Sequence, residues 1–167
     1  MPDIEFTGTT ILEAKEFLRQ HWKTGVTCVC CGQFVKLYKR KINSGMAKAL
    51  IDIYHETARC KDDRATETLL WIHVKEYLRV NKLHNGHDWT LLQHWGLLEE
   101  RKTDSGLPNS GRWRITENGE KFVRLQLKVP KQLNFYNSKV YGRSDEMIDI
   151  KQALGNKFDY QELFANL

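Results

Sequence analysis

Residues 88–123 hold a run of patterns that few folds can satisfy. DWTLLQHW has apolar residues spaced for a short helix, with Asp88 suited to cap its start and Gly96 to stop it. Leu97 and Leu98 follow as a short apolar pair, charges come next, and TDSGLPNSG reads as a polar loop. Arg112-Trp113-Arg114-Ile115 alternates as a half-buried strand does, because successive strand side chains point to opposite faces. Thr116 then caps a further helix, TENGEKFVRLQL, with Phe122, Val123, Leu125 and Leu127 apolar. A hairpin set between two helices has to bury one face against them.

The chain before this run reads as helix, arm and helix. Ile11, Ala14, Leu18 and Trp22 recur at helical spacing over residues 10–22, with Thr9 or Thr10 as cap and Gly25 beyond the end. Phe34 to Tyr38 alternates apolar and basic residues, which suits a short strand or an extended arm. Asn43 and Ser44 open a second helix whose apolar face is Met46, Ala47, Leu50, Ile51 and Tyr54. Residues 58–66 are polar and carry both charges, the composition of a loop. LLWIHV, from Leu69, is a buried strand or a helix start, which periodicity cannot separate over so short a run. Val74, Tyr77, Leu78 and Leu83 make a helical face, and Asn85-Gly86 is a turn signal.

After Pro130 the pattern changes. KQLNFYNSKVYGRS predicts a hairpin turning at Asn137-Ser138, and MIDIKQALG a short helix closed by Gly155. Leu154, Phe158, Tyr160, Leu163 and Phe164 give the end of the chain an apolar face, which either folds back on the core or meets a second copy in a homodimer.

Helix, helix, turn, helix, hairpin, helix is the element order of a winged helix-turn-helix. The segment HWGLLEER, a turn-rich loop, GRWRIT and ENGEKFV resembles the recognition helix, wing and closing helix of winged-helix transcription regulators. The residues that carry the likeness are Gly96, Leu97, Leu98, Glu99, Trp113, Ile115, Thr116, Gly119 and Phe122. The whole chain also looks like small phage and prophage proteins that join a cysteine knuckle to such a domain. The resemblance implies an α+β protein: a winged helix-turn-helix core over residues 43–129, an N-terminal helix, cysteine knuckle and basic arm over 1–42, and a C-terminal hairpin and helical extension over 130–167. It implies a fold more firmly than a function, since winged helices also serve as protein docking modules.

Charge points to a polyanion. The net charge is +5, and residues 101–143 hold ten Lys and Arg against Asp104, Glu117 and Glu120. Cations neutralise phosphates and release counterions, so duplex DNA is the expected target. Arg101, Lys102, Arg112 and Arg114 on the wing and Lys36, Lys39, Arg40 and Lys41 on the arm are the candidate backbone contacts. The helix from Asp88 offers Thr90, Gln93 and His94 to a groove, a thin set beside the Arg, Lys and Asn usual there. That thinness favours a second reading: a phage-type inhibitor or adaptor whose winged helix binds a protein. RNA binding through the knuckle and arm is a third.

Cys28-Val29-Cys30-Cys31-Gly32 contains C-x-x-C-G, the turn in which two thiolates converge on one metal. A structural zinc held by Cys28, Cys31, His55 and Cys60 is one expectation, with His21 or Cys30 as substitutes; inert reduced cysteines are the other. The strand, helix and proline of a thioredoxin-like site are missing. At least three of Trp71, Trp89, Trp95 and Trp113 read as core, and the histidines near residues 73–94 as satisfied or solvated. Without a phosphate-binding loop, a dinucleotide fingerprint or a nucleophile elbow, the expectation is a non-enzymatic protein. The N-terminus lacks the pattern of a secretory signal, no apolar run is long enough to span a bilayer, and a cytoplasmic location is expected.

Overall fold

The computed structural model describes residues 10–62, 71–82 and 86–165; the side chains of 61, 62 and 108–110 are outside it. Helices and short antiparallel sheets alternate in an α+β arrangement. The chain forms two compact units, Met1–Arg40 with Leu133–Arg143 (unit 1) and Lys41–Gln132 with Ser144–Leu167 (unit 2). These cut the chain differently from the three consecutive segments expected of it, because the C-terminal hairpin pairs with the arm, and pairing ignores sequence order.

In unit 1, α1 (Ile11–His21) starts on a capping box: Thr10 accepts from the Glu13 amide, and the Glu13 carboxylate accepts from the Thr10 amide at 2.7 Å. Only Ala14 of its expected apolar face is fully buried, and Ile11 is exposed. β1 (Val26–Thr27) and β2 (Phe34–Val35) pair antiparallel around the cysteine turn. β3 (Tyr38–Lys41) joins β7 (Gln132–Tyr136) and β8 (Lys139–Arg143) in a three-stranded sheet, with β7 in the middle. Asn137 and Ser138 take positive φ of 46° and 59°, the turn that matches strand twist, at the position the sequence predicted.

Unit 2 is built on α2 (Ser44–Asp62), whose Met46, Ala47, Ala49, Leu50, Ile51 and Ile53 are fully buried. The Asn43 carboxamide accepts from the Met46 amide at 2.9 Å and caps it. The helix continues through residues 58–62, which composition assigned to a loop. Buried Thr57 donates back to the Ile53 carbonyl at 2.9 Å, and Glu56 pairs with Arg59 at 2.8 Å, so local bonds hold the polar end helical. Residues 63–66, Leu69, Leu83 and Asn85, and with them parts of the expected loop, strand and turn, lie outside the described residues.

Next come a bridge at Ile72, α3 (Val74–Val80), a short 3-10 helix (Asp88–Trp95), and the hairpin of β4 (Leu98–Lys102) and β5 (Pro108–Ile115). Ile72 and Trp113 exchange both backbone hydrogen bonds at 2.8 Å, adding one bridged residue to the outer side of β5. α4 (Glu117–Val123) is shorter than expected, since Leu125 turns left-handed at φ 63°. β6 (Val129–Pro130) pairs with β9 (Met147–Ile148), and α5 (Ile150–Leu154) and α6 (Tyr160–Ala165) end the chain. Ile148, Ile150, Ala153 and Leu154 are buried in the same core as α2, and the Tyr160 hydroxyl donates to the Val123 carbonyl at 2.9 Å. The tail thus folds back on its own unit.

Candidate nucleic-acid interface

Gly96, Leu97, Ile115, Thr116 and Gly119 form one joint of unit 2. The Thr116 hydroxyl donates to the Gly96 carbonyl at 2.6 Å and accepts from the Gly119 amide at 3.0 Å. The Thr116 amide donates to the Leu97 carbonyl at 3.1 Å. A Cβ on Gly119 would stand 2.2 Å from the Leu97 carbonyl oxygen, so no side chain fits where α4 meets the Leu97 backbone. These residues fix the hairpin to α4 and to the short helix ahead of it.

That short helix repeats its apolar residues every three positions. Trp89 and Leu92 are buried and Trp95 is partly buried, with its indole N–H donating to the Pro130 carbonyl at 2.7 Å. A 3-10 helix eclipses i and i+3, so this spacing aligns all three on one edge, which an α-helix does not. Asp88 is its first helical residue, and the cap position is His87, without a side-chain bond. Gln93 is exposed. The Thr90 hydroxyl donates to the His87 carbonyl at 2.8 Å, and burial pushes the His94 imidazole below its ordinary value.

The hairpin divides its cations. Register sets Glu99 opposite Arg114, and the two form an ion pair. The Arg114 guanidinium also lies 4.5 Å from the Trp71 ring centroid, with Arg101 at 6.0 Å. Arg112 donates to the Trp71 carbonyl at 3.2 Å. Arg112 and Arg114 are therefore bound into the unit, while Lys102 is exposed at the loop end and Arg101 is half-buried. Trp113 points the other way and is buried edge-on against Trp89, with ring centroids 5.3 Å apart. Trp71, set between the arginines, gave no periodic signal that separated it from the core.

All four residues of β3 are exposed, Tyr38, Lys39 and Arg40 at the edge of unit 1 and Lys41 as the first residue of unit 2, as is Lys36 before them. Two further cations, Lys139 and Arg143, stand on β8 of the same sheet. Unit 1 as a whole has eight Lys and Arg against four Asp and Glu.

The cysteine turn closes the β1–β2 hairpin. The Cys28 amide donates to the Gln33 carbonyl and the Gly32 amide to the Cys28 carbonyl, both at 2.8 Å, with Gly32 left-handed at φ 71°. The backbone amides of Cys30 and then Cys31 point at the Cys28 sulfur and hold its thiol below the ordinary range; Cys30 and Cys31 are exposed. His55 and Cys60 lie on α2 of unit 2. Burial lowers the His55 pKa, its ring meets Phe164 edge-on at 5.8 Å, and its Nε2 is buried without a hydrogen-bond partner. Among the described residues no three His, Cys, Asp or Glu side chains gather into a metal-ligand set.

Comparison with family models, with curated proteins and with solved structures returns no match. Among the described residues no helix is long and apolar enough to cross a membrane.

Proposed function

We propose that the protein is a non-enzymatic nucleic-acid-binding protein, accessory or regulatory in kind, with duplex DNA as its target. The observation that carries this reading is the exposed β3 strand, where Lys39 and Arg40 stand on a unit with twice as many cations as acids and Lys41 follows them directly. Fixed cations on a strand follow a phosphate backbone without reading its sequence. Unit 2 supports a winged-helix reading: α2, the Ile72 bridge, α3, the short helix and the β4–β5 hairpin follow in that order. In that reading Gln93 and Thr90 approach the groove and Arg101 and Lys102 hold the backbone.

The test is binding of a random-sequence duplex across a salt series. Replacing Lys39 and Arg40 with alanine is expected to weaken binding and lower the salt slope by about two. Failure to bind even at low salt overturns the reading. A protein partner for unit 2 is the second reading, favoured by the engagement of Arg112 and Arg114 inside the unit. Capture of one partner from nuclease-treated lysate, lost on Gln93→Ala, supports it.

The cysteine turn supports a zinc proposal in part. Two amides aimed at the Cys28 sulfur stabilise a thiolate, and Cys31 completes the C-x-x-C pair. Cys28 and Cys31 are the ligands proposed from this turn. Zinc supplies a fold-stabilising cross-link and no chemistry in this reading.

A further inference from the structure

Duplex contacts through phosphates make no use of the aromatic cleft in unit 1. Trp22 stands edge-on to two tyrosines, with ring centroids 5.1 Å from Tyr136 and 4.8 Å from Tyr141, at interplanar angles of 73° and 76°. The two tyrosines are 6.0 Å apart. The cleft they line measures about 300 Å³, at the small end of ligand-holding clefts and suited to one planar group. Lys15 and Arg19 on α1 form part of its rim, the latter sharing a 3.7 Å pair with exposed Glu16. Lys139 stands directly across from Tyr136 in the β7–β8 ladder, so both side chains leave the sheet on one face.

Tyr141 is the extra residue where the register shifts between Asn134 and Phe135, and such a bulge re-aims its side chain. Rings that only filled an interior would be buried; Tyr141 is 51% exposed, and Trp22 and Tyr136 are half-buried. Proline-rich peptides also dock in aromatic grooves, but three cations about these rings favour a polyanion with planar groups.

We propose that this cleft stacks an unpaired base of single-stranded DNA, with Lys15, Arg19 and Lys139 on the flanking phosphates. Every base offers a π-face, so stacking beside cations holds single strands with little sequence preference. The choice of DNA rests on the duplex reading above, since both units share one chain and meet the same polymer.

The experiment is fluorescence anisotropy of the full chain with labelled oligothymidylate, against an abasic strand of equal length and charge. Oligothymidylate is expected to bind about tenfold more tightly than the abasic strand. Tyr141→Ala removes that advantage and leaves duplex affinity unchanged, while Tyr141→Phe keeps the ring and the advantage. Equal binding of the two strands, or an unaffected Tyr141→Ala, overturns the proposal. Binding of oligouridylate tenfold tighter than oligothymidylate overturns its assignment to DNA. Loss of duplex binding with oligothymidylate binding kept sinks the duplex reading and spares the stacking cleft.

Discussion

Unit 1 and unit 2 differ in where their charge goes. Unit 1 carries eight Lys and Arg against four Asp and Glu, a net +4, and unit 2 carries eighteen against seventeen, a net +1. In unit 2 cations are answered across the fold, as Arg114 is by Glu99 and Lys131 by Glu146 at 2.8 Å, or within a helix, as Lys48 is by Asp52 one turn on at 2.8 Å. In unit 1 Lys39 and Arg40 project from β3, a strand exposed at every position. Burial differs in the same sense: a large apolar cluster surrounds α2, while the buried apolar residues of unit 1 are Ala14, Val35, Leu133 and Phe135 among those described. A strip of basic sequence thus has different uses according to what the fold sets opposite it.

The sharpest way to break this contrast is at the tightest joint of unit 2. Gly119→Ala drives a Cβ to 2.2 Å from the Leu97 carbonyl oxygen and is expected to lower stability by about 3 kcal/mol. Denaturant midpoints with an unchanged slope measure it, and a wild-type midpoint defeats the close-packing account.

Arg112→Ala with Arg114→Ala comes next. Losing the Trp71 contacts and the Glu99 pair is expected to cost about 2 kcal/mol while the duplex salt slope stays put. Arg101→Ala with Lys102→Ala is the counterpart: an unchanged midpoint and a slope lower by about two. If the first pair moves the slope and not the midpoint, the arginines of β5 are phosphate contacts after all.

Cys28 sharpens the comparison within unit 1. Its thiolate forms at lower pH than an ordinary thiol because the Cys30 and Cys31 amides favour the charged form. Alkylation followed by mass spectrometry is expected to reach Cys28 first as pH rises toward about 8.5. Cobalt absorption in the thiolate region, lost in Cys28→Ser, checks the metal proposal on the same protein; its absence from the wild type removes zinc.

The smallest effect is in pH. His55 and His94 of unit 2 both have folded pKa values lowered by burial, so the unfolded chain binds more protons than the folded one as pH falls. Stability is full above the ordinary histidine value of about 6.5 and declines below it. His55→Leu removes a buried nitrogen without a partner and is expected to flatten that decline. Midpoints at several pH values test it; an unaltered decline assigns it elsewhere.

Much of the local structure was legible. Thr10 announces the start of α1, Asn137-Ser138 a tight turn, and Thr116 the cap of α4, because each acts within a few residues. The site was less legible. Arg112 and Arg114 alternate with Trp113 as solvent-facing residues do, and nothing local reveals that Trp71 and Glu99 meet them. The aromatic cleft joins Trp22 to Tyr136 and Tyr141 of the distant C-terminal hairpin, a pairing that no periodicity reveals.

By itself the sequence determined the starts of α1, α2 and α4 and the β4–β5 and β7–β8 hairpins, since caps, turns and alternation are short-range physics. It also determined an excess of cations. Tertiary structure decided which cations remain free, that residues 133–143 belong with the N-terminal segment, and that the helix from Asp88 winds as a 3-10 helix. Those outcomes depend on strand pairing and burial between residues distant along the chain, where the partner, and not the residue's own pattern, sets the energy.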